Sequence, residues 1–162
     1  MDMVVRAVLM GIGATLLMDL WAILRKWAFG VSSLDYAMLG RWLGHMPAGR
    51  FAHPDIGSAP SVRGERIIGR TAHYVIGVTF AALLLTVCGE GWARQPTPGP
   101  ALAVGIVTVV APLFIMQPGM GLGVAASRMP KPNVARLRSL VMHIVFGLGL
   151  YGSAWILAQM TP

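Results

Sequence analysis

More than a hundred of the 162 residues share only five charged side chains: Asp2, Arg6, Asp19, Glu90 and Arg94. The other charges are clumped, ten between Arg25 and Arg70 and four between Arg128 and Arg138. Between the clumps lie four apolar runs, at about 4–24, 67–88, 101–117 and 137–158. A spanning helix needs about 20 mostly apolar residues. Hydrocarbon offers no water, so a span must satisfy its own backbone, and none of the four runs alternates like a barrel strand. The pattern predicts an all-α chain, a single integral membrane domain over 1–162 built as a four-helix bundle. Charged residues make up only 12% of the chain, against roughly 25% in soluble proteins. This excludes a disordered tail and an ordinary soluble enzyme. The third run is the shortest and holds Pro112. Its continuation through 120–126 is opposed by Pro118 and the nearby glycines.

Basic residues set the expected orientation. The segment from Arg25 to Arg66 holds six, and that from Arg128 to Arg138 holds four. The connection between the second and third runs holds Arg94 alone, and the amino end Arg6 alone. The positive-inside rule then places both basic loops in the cytoplasm and both termini outside. The net charge of +7 is explained by these loops, so nucleic acid is not an expected partner. The lipid bilayer is. Four spans enclose a narrow interior, which suits a homo-oligomer or a larger membrane complex. The first run contains Asp19 and lacks a small-x-small cleavage site before Arg25, so it reads as a retained span. Cys88 stands alone and excludes an internal disulfide and a CxxC site.

The cytoplasmic loop 25–66 has content of its own. Leu34, Met38, Leu39, Trp42 and Leu43 follow helical spacing. With Ser32 or Ser33 as cap, they predict an interfacial helix over 33–44, accompanied by Tyr36 and Arg41. Residues 53–60 read as extended loop, and His45 and His53 as interfacial loop residues.

The second and fourth runs share a spaced pattern. Arg66 precedes His73, Val75 and Gly77 as Arg136 precedes His143, Val145 and Gly147. Two repeated helical hairpins about an axis along the membrane normal would produce this.

Intramembrane polar groups are expensive and face the interior or a cavity. At about 1.5 Å per residue, Asp19 lies roughly 9 Å from Arg25 along its helix, His143 roughly 7–8 Å from Arg138, and His73 roughly 4–5 Å from Arg70. Gln117 closes the third run toward the same side. Each helix thus offers one polar side chain at a similar level. Glycine follows each histidine by one turn, and Gly11, Thr15 and Asp19 form a stripe that permits close helix approach.

Three chemistries suit these residues. Asp19, His73, Gln117 and His143 can form an interior hydrogen-bond cluster, which would give an accessory or structural subunit. His73 and His143 can be axial ligands of a non-covalent haem b in an electron-transfer subunit, with Gly77 and Gly147 making room for the ring and Arg66, Arg70 or Arg136 meeting its propionates. Asp19, His73 and His143 can also hold a metal ion or pass protons, and His45 and His53 can join them if the loop folds back. The reading that combines them is a non-enzymatic membrane protein that binds or conducts a small ligand, ion or proton at the cluster. No nucleophile–base pair supports hydrolase chemistry, and Gly119–Gly123 is not followed by the lysine of a phosphate loop.

Several motifs carry a family resemblance. They are the run Gly11 to Trp21, the segment Gly44-His45-Met46-Pro47 with Gly49-Arg50-Phe51, Arg63-Gly64-Glu65-Arg66 with Ala72-His73-Tyr74, Pro112 to Pro118, and Arg136-Leu137-Arg138-Ser139 with His143. Over nearly its full length the chain resembles the bacterial membrane-protein family catalogued as domain of unknown function 2938. The resemblance implies a small four-span inner-membrane protein and brings no established activity. Its motifs coincide with the polar residues named above.

Overall fold

The computed structural model describes residues 1–31 and 35–160, and their regular secondary structure is helical. Helix α1 spans Met3–Phe29. Asp2 caps it, accepting from the Val4 amide at 2.7 Å. Gly30, at φ 63°, ends it with Lys26 in the last turn, the charge and backbone preferences of a helix carboxyl end. Helix α2 spans Tyr36–His45 and is capped by Asp35. The expected serine cap and Leu34 lie outside the described residues. Helix α3 spans Glu65–Arg94, with its course broken at Gly89 where φ is 72°. Helix α4 spans Pro98–Val107, and Pro98 suits a first turn that has no use for its amide. Helix α6 spans Pro132–Met160.

Between α4 and α6 the third apolar run departs from regular geometry. Residues Pro112–Met116 form a π-helical turn that leads into the short helix α5, Gln117–Gly119. Pro112 brings no amide proton, so the wider turn closes instead through the Gln117 amide onto the Pro112 carbonyl. Pro118 and Gly119 then let the chain leave the helix.

Among the described residues, four stretches are long and apolar enough to cross a membrane: Met3–Phe29, Glu65–Arg94, Pro98–Gly119 and Pro132–Met160. In each, only 17 to 39% of the most apolar window is buried inside the protein. Most of these side chains therefore face outward; Val4, Val75, Val87 and Ile156 are exposed examples. So large an apolar exterior is untenable in water and fits lipid contact. The chain is by length and composition an integral membrane protein.

The residues fall into two compact units. The first holds 1–33, 74–108 and 141–162. Here the apolar helices pack as a bundle around Met10, Leu84 and Leu150, with Ala14, Ala81, Ala101 and Ala154 fully buried beside them. Small residues bring the backbones together. A Cβ on Gly11 would lie 2.4 Å from the Val78 Cα, and one on Gly149 would lie 2.7 Å from the Ala14 Cα. Membrane helices associate through such close packing because lipid supplies no hydrophobic drive between them.

The second unit holds 34–73 and 109–140. Its core is Leu39, Trp42, Ile56 and Met120. The loop after α2 folds onto α5 and the residue beyond it: the His53 amide donates to the Gly119 carbonyl at 2.9 Å, and the Ile56 amide to that of Met120 at 3.0 Å. Asp55 caps the short turn Ile56–Ser58, and the Ser58 hydroxyl and Gly57 amide hold its carboxyl below the ordinary range. The turn Val124–Ala126 places Ala125 and Ala126 at φ 49° and 60°, a conformation costing roughly 1–2 kcal/mol per residue with a Cβ.

Candidate functional site

The polar residues of the apolar helices divide between the units. Asp19 and His143 belong to the first, His73 and Gln117 to the second. In the first unit, Asp19 accepts a hydrogen bond from the Tyr74 hydroxyl at 2.9 Å, joining α1 to α3. The Thr108 hydroxyl lies 2.8 Å from the Gly105 carbonyl, to which it donates, and 3.1 Å from His143 Nδ1. His143 Nδ1 is also 3.2 Å from the Gly105 carbonyl. A histidine so held has a fixed ring orientation. Thr15 bonds its own helix, donating to Gly11 at 2.7 Å.

The glycines beside the histidines are filled positions. A Cβ on Gly77 would meet the Thr15 hydroxyl at 2.2 Å and the Gly11 carbonyl at 3.2 Å. One on Gly147 would meet the Ala101 carbonyl at 2.9 Å and the Leu102 Cα at 3.0 Å. The room that a haem ring would need at these two glycines is taken by α1 and α4. Nor do the basic residues gather for propionates. Arg66, Arg70 and Arg136 are exposed, and Arg136 donates to the Ala125 carbonyl at 2.8 Å and to Asn133 at 3.0 Å. The residues present do not fit a haem held in this way. Among the described residues, no three His, Cys, Asp or Glu side chains are grouped so as to hold a metal ion.

The second unit is richer in polar groups than the sequence suggested. The His73 ring packs on Tyr36 with centroids 5.0 Å apart. His45, expected in an interfacial loop, is a buried residue of α2 whose Nε2 lies 2.9 Å from the Pro60 carbonyl. The His53 ring meets it edge-on with centroids 5.0 Å apart. Trp42 donates to the Phe51 carbonyl at 2.8 Å, and its ring lies against Gly119, where a Cβ would approach to 2.6 Å. Gly121, at φ 88°, is pressed on the Pro54 carbonyl. Any side chain there would break the seat of the 53–56 loop.

Gln117 Oε1 and His53 Nε2 are buried in this unit with no hydrogen-bond partner among the described residues. Gln117 is 6% exposed. The His53 backbone bonds to Gly119, two residues beyond Gln117. Buried polar groups are paired in the great majority of cases, and an orphan calls for an explanation. Sequence reasoning selected Gln117 from its place at the end of the third run. It admitted His53 only on the condition that the loop folds back, because the fold-back of a loop onto α5 leaves no local pattern.

The sequence matches the model of the family described as protein of unknown function (DUF2938) over residues 8–157. No curated protein and no solved structure matches it significantly.

Proposed function

The chain belongs to this family of proteins of unknown function, and from its own residues we propose that it is a membrane-embedded binding protein whose site centres on Gln117. The observation that carries the reading is the buried, unpartnered Gln117 carbonyl oxygen. An unsatisfied buried acceptor costs about 1–3 kcal/mol. A ligand that donates a hydrogen bond, or a cation, removes that cost, and a residue kept for stability alone would be better as leucine. His53 supplies a second nitrogen whose role follows its tautomer. An acceptor and an imidazole suit a small polar ligand or an ion. Asp19–Tyr74 and Thr108–His143 hold helices together in this reading.

The test separates binding from packing. Gln117→Leu is expected to leave thermal unfolding in detergent micelles unchanged or raised. It is also expected to lose the small molecule or ion found with the wild type by native mass spectrometry and elemental analysis. A variant that melts several degrees lower, with unchanged bound content, would make Gln117 a packing residue and end the proposal.

The orientation belongs to the same proposal. The basic segments 25–66 and 128–138 face the cytoplasm of a bacterial inner membrane, and both termini face the periplasm. Alkaline phosphatase fused after Pro162 is expected to be active, and the same fusion within 128–131 inactive. The reverse pattern would invert the assignment.

A further inference from the structure

The second unit carries nine lysines and arginines against three carboxylates. The first unit carries four against three. All three carboxylates of the second unit are engaged in its own structure. Asp35 caps α2, Asp55 caps its turn and accepts from Ser58 at 2.6 Å, and Glu65 is held by Arg41 at 2.9 Å. Eight of the nine basic residues are exposed, Arg41 being the exception. Arg136 donates to the Ala125 carbonyl and to Asn133, neither of which carries charge. The surface of this unit is therefore strongly positive, and such a surface attracts anions.

The depth of these charges narrows the anion. Arg66 and Arg70 lie in the first two turns of α3, and Arg136 and Arg138 in the first two turns of α6. Both helices are long and apolar enough to span a bilayer. The end of a spanning helix lies where hydrocarbon gives way to headgroups, and guanidinium forks match phosphate geometry. Cations at a helix amino end also oppose the macrodipole. The first turn of α6 holds no acid to offset them, so a negative charge from outside the chain stabilises that end.

The turn after α2 adds a second feature. Gly49, at φ 74°, reverses the chain there. The Arg50 amide donates to the His45 carbonyl at 3.3 Å, the Phe51 carbonyl accepts from Trp42 at 2.8 Å, and the His53 amide donates to Gly119 at 2.9 Å. The backbone of the turn is thus fixed, yet Phe51 is 63% exposed and Arg50 beside it is exposed. A ring and a guanidinium side by side suit the bilayer interface, where aromatics sit at headgroup level and cations meet phosphate. Because the turn is already ordered, little entropy is lost when it makes that contact.

We infer that the surface of the second unit binds the headgroups of anionic phospholipids, with Arg50 and Phe51 as an interfacial anchor. A nucleic acid would meet the charge, but it does not account for four arginines held at the ends of apolar helices. Gln117 plays no part in this surface, so its binding role and the lipid contact stand or fall separately.

The test follows thermal unfolding of the full chain in maltoside micelles. Dioleoyl phosphatidylglycerol is the anionic probe, dioleoyl phosphatidylcholine the zwitterionic comparison, and an oligothymidylate the soluble polyanion. Saturable stabilisation by phosphatidylglycerol alone is expected, weakening as salt rises. A basic residue near an anionic surface contributes about fivefold in affinity. Arg66→Gln combined with Arg70→Gln is therefore expected to weaken binding roughly twentyfold. Arg50→Gln combined with Phe51→Ser is expected to weaken it about tenfold or more. These four side chains are exposed, so the fold is expected to survive both double changes. Arg94→Gln removes a charge from the first unit that Glu90 already meets at 3.2 Å, and it is expected to leave binding unchanged. Equal stabilisation by the two lipids, or none by either, overturns the inference. So does stabilisation by oligothymidylate, unchanged binding in either double variant, or as large a loss in Arg94→Gln.

Discussion

Gly40→Ala is expected to unseat α2 from α3 and to cost roughly 3 kcal/mol, at the upper end of ordinary overpacking penalties. The alanine Cβ would stand 1.7 Å from the Glu65 carbonyl oxygen and 2.7 Å from the Gly69 amide nitrogen. The contact is reciprocal, since a Cβ on Gly69 would stand 1.9 Å from the Tyr36 carbonyl oxygen and 2.8 Å from the Gly40 amide nitrogen. All four atoms are backbone. No rotamer change relieves the clash, so one helix must move. Gly152→Ala is the matched control, because nothing lies within 4 Å of its added methyl. That change is expected to be neutral or to stabilise by about 0.5–1 kcal/mol through helix propensity. Chemical denaturation of both variants in mixed micelles decides the matter. If both move stability alike, the tight α2–α3 crossing is wrong.

Arg41→Gln is expected to release the loop between α2 and α3. Arg41 holds Glu65 through two bonds of 2.9 Å, a bidentate pair with 12% and 17% of the side chains exposed. Its remaining nitrogen donates to the carbonyls of Ile56, Gly57 and Ala59 at 3.3, 3.1 and 3.2 Å. Glu65 in turn accepts from the Val62 amide at 3.0 Å. The bonds to Glu65 hold the Arg41 guanidinium above its ordinary pKa. One cation therefore fixes both ends of residues 56–65. Without it, hydrogen exchange at the amides of Ala59 and Val62 is expected to quicken at least about tenfold. Arg41→Lys is expected to recover little of the protection, because a point charge cannot span two carboxylate oxygens and three carbonyls. Full rescue by lysine, or unchanged exchange in Arg41→Gln, would show that the loop is held by other contacts.

The long helices were legible because each apolar run exceeds the length any soluble core would bury. The cap of α2 was less legible: the expectation named Ser32 or Ser33, and Asp35 caps it. The polar residues were legible as residues but not as contacts. Asp19 stood out against its apolar run, yet the phenol that bonds it, Tyr74, looks like an ordinary interfacial aromatic. Gly77 and Gly147 read as open space beside histidines, and the structure fills them with helix backbone. Spacing along one helix cannot say what the next helix places opposite. Arg41 read as a surface cation of an amphipathic helix, since nothing local marks Glu65, 24 residues away, as its partner. The same non-local folding sets the partners of His45 and His53, which spacing alone could place only as loop residues.

The π-helical turn at Pro112–Met116 carries a consequence for Gln117 that residue chemistry does not express. A π turn is one residue more than an α-helix would use, and each residue advances the helix by about 100°. Gln117 therefore owes its heading to a count. Had the chain lost any one residue between 112 and 116 and regained regular winding, the same glutamine would face a different neighbour while every side-chain type around it stayed the same. What selects the phase of this helix is the length of the segment, with Pro112 making the extra residue tolerable, so an insertion or deletion there would re-aim Gln117 more completely than a substitution.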